Sequence, residues 1–175
     1  PTASLTKNLE GTNMTEFGLL QKKGIIGFTD GIKTIQNTRV MSRIMNSALD
    51  LNTLVIQHAE DFDLADEGMM NDGTVSTKLG LQGIPDVAEK IIIERDLALL
   101  EEYGCRYHIS QISSRKSVDV IKSKKQFLKF TCGVSINNLS LNENDIGDFR
   151  TFLKLSPPLR TEEDRLSLIE GLNNK

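Results

Sequence analysis

The sequence predicts an α/β chain with a parallel sheet, built as part of a larger barrel. Three observations lead there. Short apolar runs alternate with amphipathic helical patterns along all 175 residues, the order that produces parallel strands with right-handed crossovers. Leu54, Val55 and Ile56 run straight into Gln57, His58, Ala59, Glu60 and Asp61. That is a buried strand delivering polar groups to a rim. No Gly-rich strand-to-helix turn appears, so the dinucleotide and phosphate sites common in open α/β sheets are not signalled. Four clear strands do not close a barrel of eight, so residues 1–175 are expected to form an incomplete one, with strand edges covered by another chain.

The elements follow in order. Pro1 to Gly11 reads as the tail of a strand, and Thr15 to Lys23 as a short helix stopped by Gly24. Ile25 to Thr29 is a strand ending at Asp30-Gly31. Thr38 is a plausible N-cap, before a helix with Met41, Ile44, Met45 and Ala48 on one face. After the strand at Leu54, residues Phe62 to Gly83 show no clear element. A connection of that length is functional or mobile, and it is expected to be partly disordered or remodelled if a metal at the rim has been lost. A long helix runs from Ile84 to about Glu102, with Pro85 in its first turn. Ala88, Ile91, Ile92, Ala98 and Leu99 face inward on this reading, Glu89 faces water, and Gly104 ends the helix. Cys105 to Ile112 is a strand, Ser113 to Lys125 a helix with a basic solvent face, and Phe127 to Val134 a strand. Asn142 to Phe149 suggests a short helix and Leu153 to Arg160 a loop or edge segment. Thr161 caps a last helix with Leu166, Ile169 and Leu172 on its apolar side.

Composition narrows the function classes. A formal net charge of -3, with no basic block interleaved with aromatics, argues against a nucleic-acid surface. No apolar run approaches the ~20 residues of a membrane span. Cys105 and Cys132 lack zinc-knuckle spacing and read as thiols of a reducing, cytoplasmic compartment. The sequons at Asn13 and Asn138 are read as unglycosylated. No signal-peptide pattern opens the sequence, and with Pro1 first the natural start is expected upstream.

Asp30, His58 and Gln111 fall at the ends of three successive predicted strands and converge on one rim. Aspartate and histidine there suit a divalent metal such as zinc, which polarises carbonyls and lowers the pKa of bound water. Gln111 is a poor ligand by comparison. The plainer alternatives stand beside this: Asp30 as a turn group, His58 as a hydrogen-bonded histidine, His108 as a structural one. Arg160, after Pro157-Pro158-Leu159, suits either a carboxylate clamp or a structural ion pair.

Five segments carry a resemblance. Gly27-Phe28-Thr29-Asp30, Val55 to Asp61, Leu79 to Pro85, Tyr107 to Ser113, and Ser156-Pro157-Pro158-Leu159-Arg160 through Arg165 resemble dihydroorotase, a metal-dependent cyclic amidohydrolase of pyrimidine biosynthesis. Lys7, Leu9, Glu10 and Gly11 fit a sixth segment, with Asn8 for the usual Gly. The resemblance implies a TIM barrel with zinc at its C-terminal rim, of which this chain spans strands four to seven. The family's His-x-His pair and strand-eight Asp lie outside these residues. Asp30 matches the bridging acid, and His58 the strand-five ligand. Gln111 stands where the family has a histidine.

Other positions depart from the family as well. Gly31 replaces the second Asp of Phe-Thr-Asp-Asp-Gly, Ser135-Ile136-Asn137-Asn138 replaces Thr-Pro-His-His, and Ser156 replaces a substrate-contacting Asn. The scaffold signature survives while the site is worn. By resemblance this implies a catalytically silent homologue, a structural partner of aspartate carbamoyltransferase within a homo- or hetero-oligomer. The alternatives are an active zinc-dependent dihydroorotase with further ligands elsewhere, or an amidohydrolase of another cyclic amide. In an active form Asp30 and His58 would hold metal, with Ser156 and Arg160 at the substrate.

Overall fold

The computed structural model describes residues 1–173. Five strands form one sheet in the order β1 (Thr2–Ala3), β2 (Gly27–Phe28), β3 (Leu54–Gln57), β6 (Arg106–Ile112) and β7 (Thr131–Val134), each parallel to the next. Spatial order follows chain order without reversal. A doubly wound sheet reverses at a switch point, so this sheet is an arc of a barrel, open at the β1 and β7 edges. This sheet has five strands rather than four, because the opening residues do pair, Thr2 with Gly27 and Ala3 with Phe28.

Helices cover one face. After α1 (Phe17–Gln21), α2 (Thr38–Asp50) buries Met41, Ile44, Met45 and Ala48. Its N-cap is Asn37, not Thr38: the Asn37 side chain accepts from the N–H groups of Arg39 and Val40, as a cap must. Phe28 is fully buried and stacks on Phe17, with centroids 3.9 Å apart and planes at 15°. Within β3, Val55 and Gln57 are buried while Leu54 and Ile56 are half-buried. The period of two thus directs one set to the helices and the other to the barrel interior.

The stretch Phe62 to Gly83 is not structureless. It forms α3 (Phe62–Ala65), β4 (Met70–Asn71) and α4 (Thr74–Leu79), and β4 pairs in parallel with β5 (Gly83–Ile84). Its strands have only two residues each, too short to leave an alternating pattern. Gly68 is needed here, since a Cβ would lie 2.1 Å from the Ile84 side chain.

The long helix, α5 (Asp86–Tyr103), is N-capped by Pro85. Its buried stripe is Ala88, Glu89, Ile92, Ile93, Asp96, Leu97 and Leu100, while Ile91 and Ala98 are exposed. The predicted face was rotated because two acids occupy the core stripe. Asp96 is there because it is satisfied: it accepts from the Tyr107 hydroxyl at 2.6 Å and from Arg95 at 2.7 Å. Burial nevertheless raises its pKa, against the pull of Arg95.

Following β6 come α6 (Arg115–Lys124), capped by Ser114, and, after β7, α7 (Ile136–Ser140), which periodicity does not reveal. The region from Asn142 to Phe149 holds only a 3-10 turn at Glu143–Ile146, and Phe127 to Phe130 lies outside β7. In α8 (Glu162–Asn173), Leu168 is the buried residue, while Leu166 and Leu172 are exposed. Among the described residues, no helix is long and apolar enough to cross a membrane. Cys105 is buried, and burial pushes its thiol up to about 11, which makes it inert.

Candidate functional site

The C-terminal ends of β2, β3 and β6 carry the polar residues singled out in the sequence. Asp30, just past β2, is buried. Its Oδ1 accepts from the Thr6 N–H at 3.0 Å and its Oδ2 from the Thr6 hydroxyl. The carboxylate therefore closes the loop after β1 onto the strand beside it. Gly31 follows at a φ of +70°, a left-handed turn that a side chain disfavours.

His58 continues the interior-facing set of β3 and is 2% exposed. Its backbone carbonyl accepts from the Thr34 hydroxyl at 2.7 Å, and the same hydroxyl accepts from the Glu60 N–H at 3.1 Å. Its Nε2 lies 3.1 Å from the Ser156 hydroxyl. Two residues proposed for separate roles, metal and substrate, thus contact one another. Asp30 and His58 share no hydrogen bond among the described residues. Gln111 is half-buried on β6, where the register against β7 slips between Ile109 and Ile112. His108 pairs through Nδ1 with the Thr131 hydroxyl at 2.7 Å.

Arg160 is buried and engaged within the chain. Its Nε donates to the Ser113 hydroxyl at 3.1 Å; its Nη1 donates to Asn71 Oδ1 at 2.9 Å and to the Ile84 carbonyl at 2.5 Å. Ser113 in turn donates to Glu89, which also accepts from the Ser113 and Ser114 N–H groups. Asn71 donates to Glu143 at 2.6 Å. Sequence reasoning missed Thr6, Asn71, Glu89 and Glu143. The one available signal was Glu89, seven residues before Asp96 on the inward stripe.

The chain's own donors do not make a metal centre. Asp30 is tied to Thr6, His58 pairs with Ser156, and Gln111 offers a neutral amide. Among the described residues, no three His, Cys, Asp or Glu side chains group closely enough to hold an ion. A zinc site takes three or four protein ligands, so these residues alone do not fit one.

Burial lowers the His58 pKa, opposed by the nearby Glu89 charge, and burial lowers that of His108. Glu60 is raised by burial, against the pull of Arg160. A histidine depressed in the folded state contributes stability that is complete above its unfolded value of about 6.5 and is lost as pH falls through the folded value. Thermal melts from about pH 7.5 to 5.5 should therefore show a falling midpoint, and His58→Gln should flatten that slope. A slope unchanged by the substitution would remove His58 from this account.

The family described as "Dihydro-orotase-like" matches residues 1–117. The chain is 44% identical over 174 residues to "Dihydroorotase" of Ehrlichia canis, covering 98% of this chain and 38% of that protein. It is 38% identical over 175 residues to "Dihydroorotase" of Desulforapulum autotrophicum, covering 99% and 41%. Among solved structures it is similar to an L-hydantoinase from Arthrobacter aurescens, with a TM-score of 0.77 at 20% identity, covering 98% and 40%. It is also similar to a dihydroorotase from Campylobacter jejuni, with a TM-score of 0.61 at 15% identity, covering 89% and 43%. At those identities the structures speak for the fold alone, part of an α/β barrel. The chain spans about two fifths of the curated relatives it matches.

Proposed function

This chain belongs to the dihydroorotase family, and from that premise we propose that it is a catalytically silent member acting as a structural partner of aspartate carbamoyltransferase in pyrimidine biosynthesis. The family reaction is the reversible, zinc-dependent hydrolysis of dihydroorotate to N-carbamoyl-L-aspartate. The observation that carries the silent reading is the state of the donor set. The family's ligand positions hold two metal-binding residues and one amide, and His58 Nε2 is already paired with Ser156. Zinc would supply an activated water and a polarised carbonyl, and among the described residues no group of three His, Cys, Asp or Glu side chains assembles to hold it.

Arg160, which the sequence offers as either a carboxylate clamp or a structural ion pair, has its donors turned inward to Ser113, Asn71 and Ile84. A scaffold maintained beside a worn site suits a structural role. The choice of aspartate carbamoyltransferase as partner rests on the family's silent members, which assemble with it. A second reading, an active dihydroorotase with further ligands on other segments, is favoured by Asp30 and His58 standing at the family's positions.

The test is zinc content and turnover of the full protein, purified without chelator and supplemented with zinc. The expected result is well below one ion per chain and no hydrolysis of dihydroorotate. One or two tightly held ions, with turnover in the ordinary enzyme range, would overturn the silent reading. Co-elution with aspartate carbamoyltransferase of the same organism tests the partnership separately.

A further inference from the structure

The apolar residues fall into two clusters with no member in common. The main one joins the sheet to α2, α5 and α6, with Phe28, Ile44, Val55, Ile93 and Ile109 at its centre. The second gathers Met70, Ile146 and Leu159, with Leu79, Leu141 and Leu155 against them. It is built from the segment after β3 and the segment after α7. These two segments, residues 68–84 and 141–159, pack as a unit of their own on the rim.

Buried hydrogen bonds tie this unit to the barrel: Asn138 Nδ2 on α7 donates to the Pro158 carbonyl at 2.9 Å, and the rest run through Arg160. Arg160 donates to Asn71 and Ile84 on the unit's side and to Ser113, at the exit of β6, on the barrel's side. Asn71 continues to Glu143. Ser156, carried by the same unit, sits on His58 Nε2. Water replaces lost hydrogen bonds, so a polar seam opens at far lower cost than an apolar one.

We propose that residues 68–84 and 141–159 form a cover latched to the barrel by Arg160, and that releasing the latch uncovers His58 while the main core stays closed. The closed form shields the imidazole: His58 is 2% exposed, with the Ser156 hydroxyl 3.1 Å from its Nε2. Arg160 is here a positioning residue, acting on His58 through the segment that carries Ser156. The inference does not depend on whether the full protein turns over substrate.

The chain has two histidines, His58 and His108, so His108 serves as the internal reference. The experiment is diethyl pyrocarbonate modification followed by peptide mass spectrometry, with backbone deuterium exchange in parallel. Arg160→Lys keeps a charge but loses the fork that spans three acceptors. It should raise the His58 modification rate about tenfold, the factor given by ~1.4 kcal/mol, and leave His108 unchanged. Exchange should rise in 68–84 and 141–159 and stay low in β3 and β6. Asn71→Ala removes the link from Arg160 to Glu143 while sparing the Ser113 bond. It should act in the same direction, and it carries the test if Arg160→Lys does not fold. An unchanged His58 rate in the folded variants overturns the latch. So does a joint rise at both histidines with exchange throughout the main core, because the seam would then be part of that core.

Discussion

Replacing Glu89 by alanine should lower the unfolding free energy by about 3–5 kcal/mol, the cost of removing one member of a buried charged network. The carboxylate is 2% exposed and accepts from two backbone N–H groups, at Ser113 and Ser114, and from both serine hydroxyls. Alanine leaves the two N–H groups and the Ser113 hydroxyl buried without that acceptor, while the Ser114 hydroxyl keeps Ser117 Oγ at 2.9 Å. It also leaves Arg160 beside Ser113 with no nearby carboxylate on α5. Glu89→Gln retains one oxygen but turns an NH2 toward the Ser113 and Ser114 donors, so it should cost less, about 1–3 kcal/mol. Urea unfolding of the three proteins checks the order. If Glu89→Ala came within 1 kcal/mol of the parent, the carboxylate would not be organising the β6–α6 turn.

Phe28→Ala should cost a similar amount, about 3–5 kcal/mol, for an unrelated reason. Phe28 is fully buried on β2, stacked on Phe17 of α1. A strand of two residues has little backbone pairing of its own, so this ring is what holds α1 against the sheet. Phe28→Leu keeps most of the buried volume and should recover more than half of the loss. Denaturant midpoints measure both. A Phe28→Ala cost below about 1 kcal/mol would mean that α1 packs without the ring, against the usual cost of such a truncation. The Glu89 and Phe28 effects should add, since the two sites share no partner.

The parallel sheet, the helix of Met41 to Ala48 and the strands at Leu54 and Arg106 were legible in the sequence because their signals are local. A period of 3.6 or 2, a capping residue and a Gly stop each act within one element. The family resemblance was legible for a related reason. Turn and rim segments such as Gly27 to Asp30 and Pro157 to Arg160 keep their residues in order along the chain. The open arc also followed from sequence, since too few strand patterns were present to close a barrel.

Only the tertiary structure decided the rest. The two short strands around α4 pair with each other, and Met70 packs with Leu159 and Ile146 from far along the chain. No window of residues 62–83 contains that information. Glu89 and Asp96 point inward because Ser113, Ser114, Tyr107 and Arg95 satisfy them, and a buried polar group is stable only when such partners arrive. The same holds at the rim: the sequence offers Asp30, His58, Ser156 and Arg160 as four candidates for one site. Folding assigns Asp30 to Thr6, His58 to Ser156, and Arg160 to the seam beneath the second apolar cluster. Composition and periodicity determine which faces are buried in aggregate. The pairing of each polar group is long-range, and it emerges only when distant segments meet.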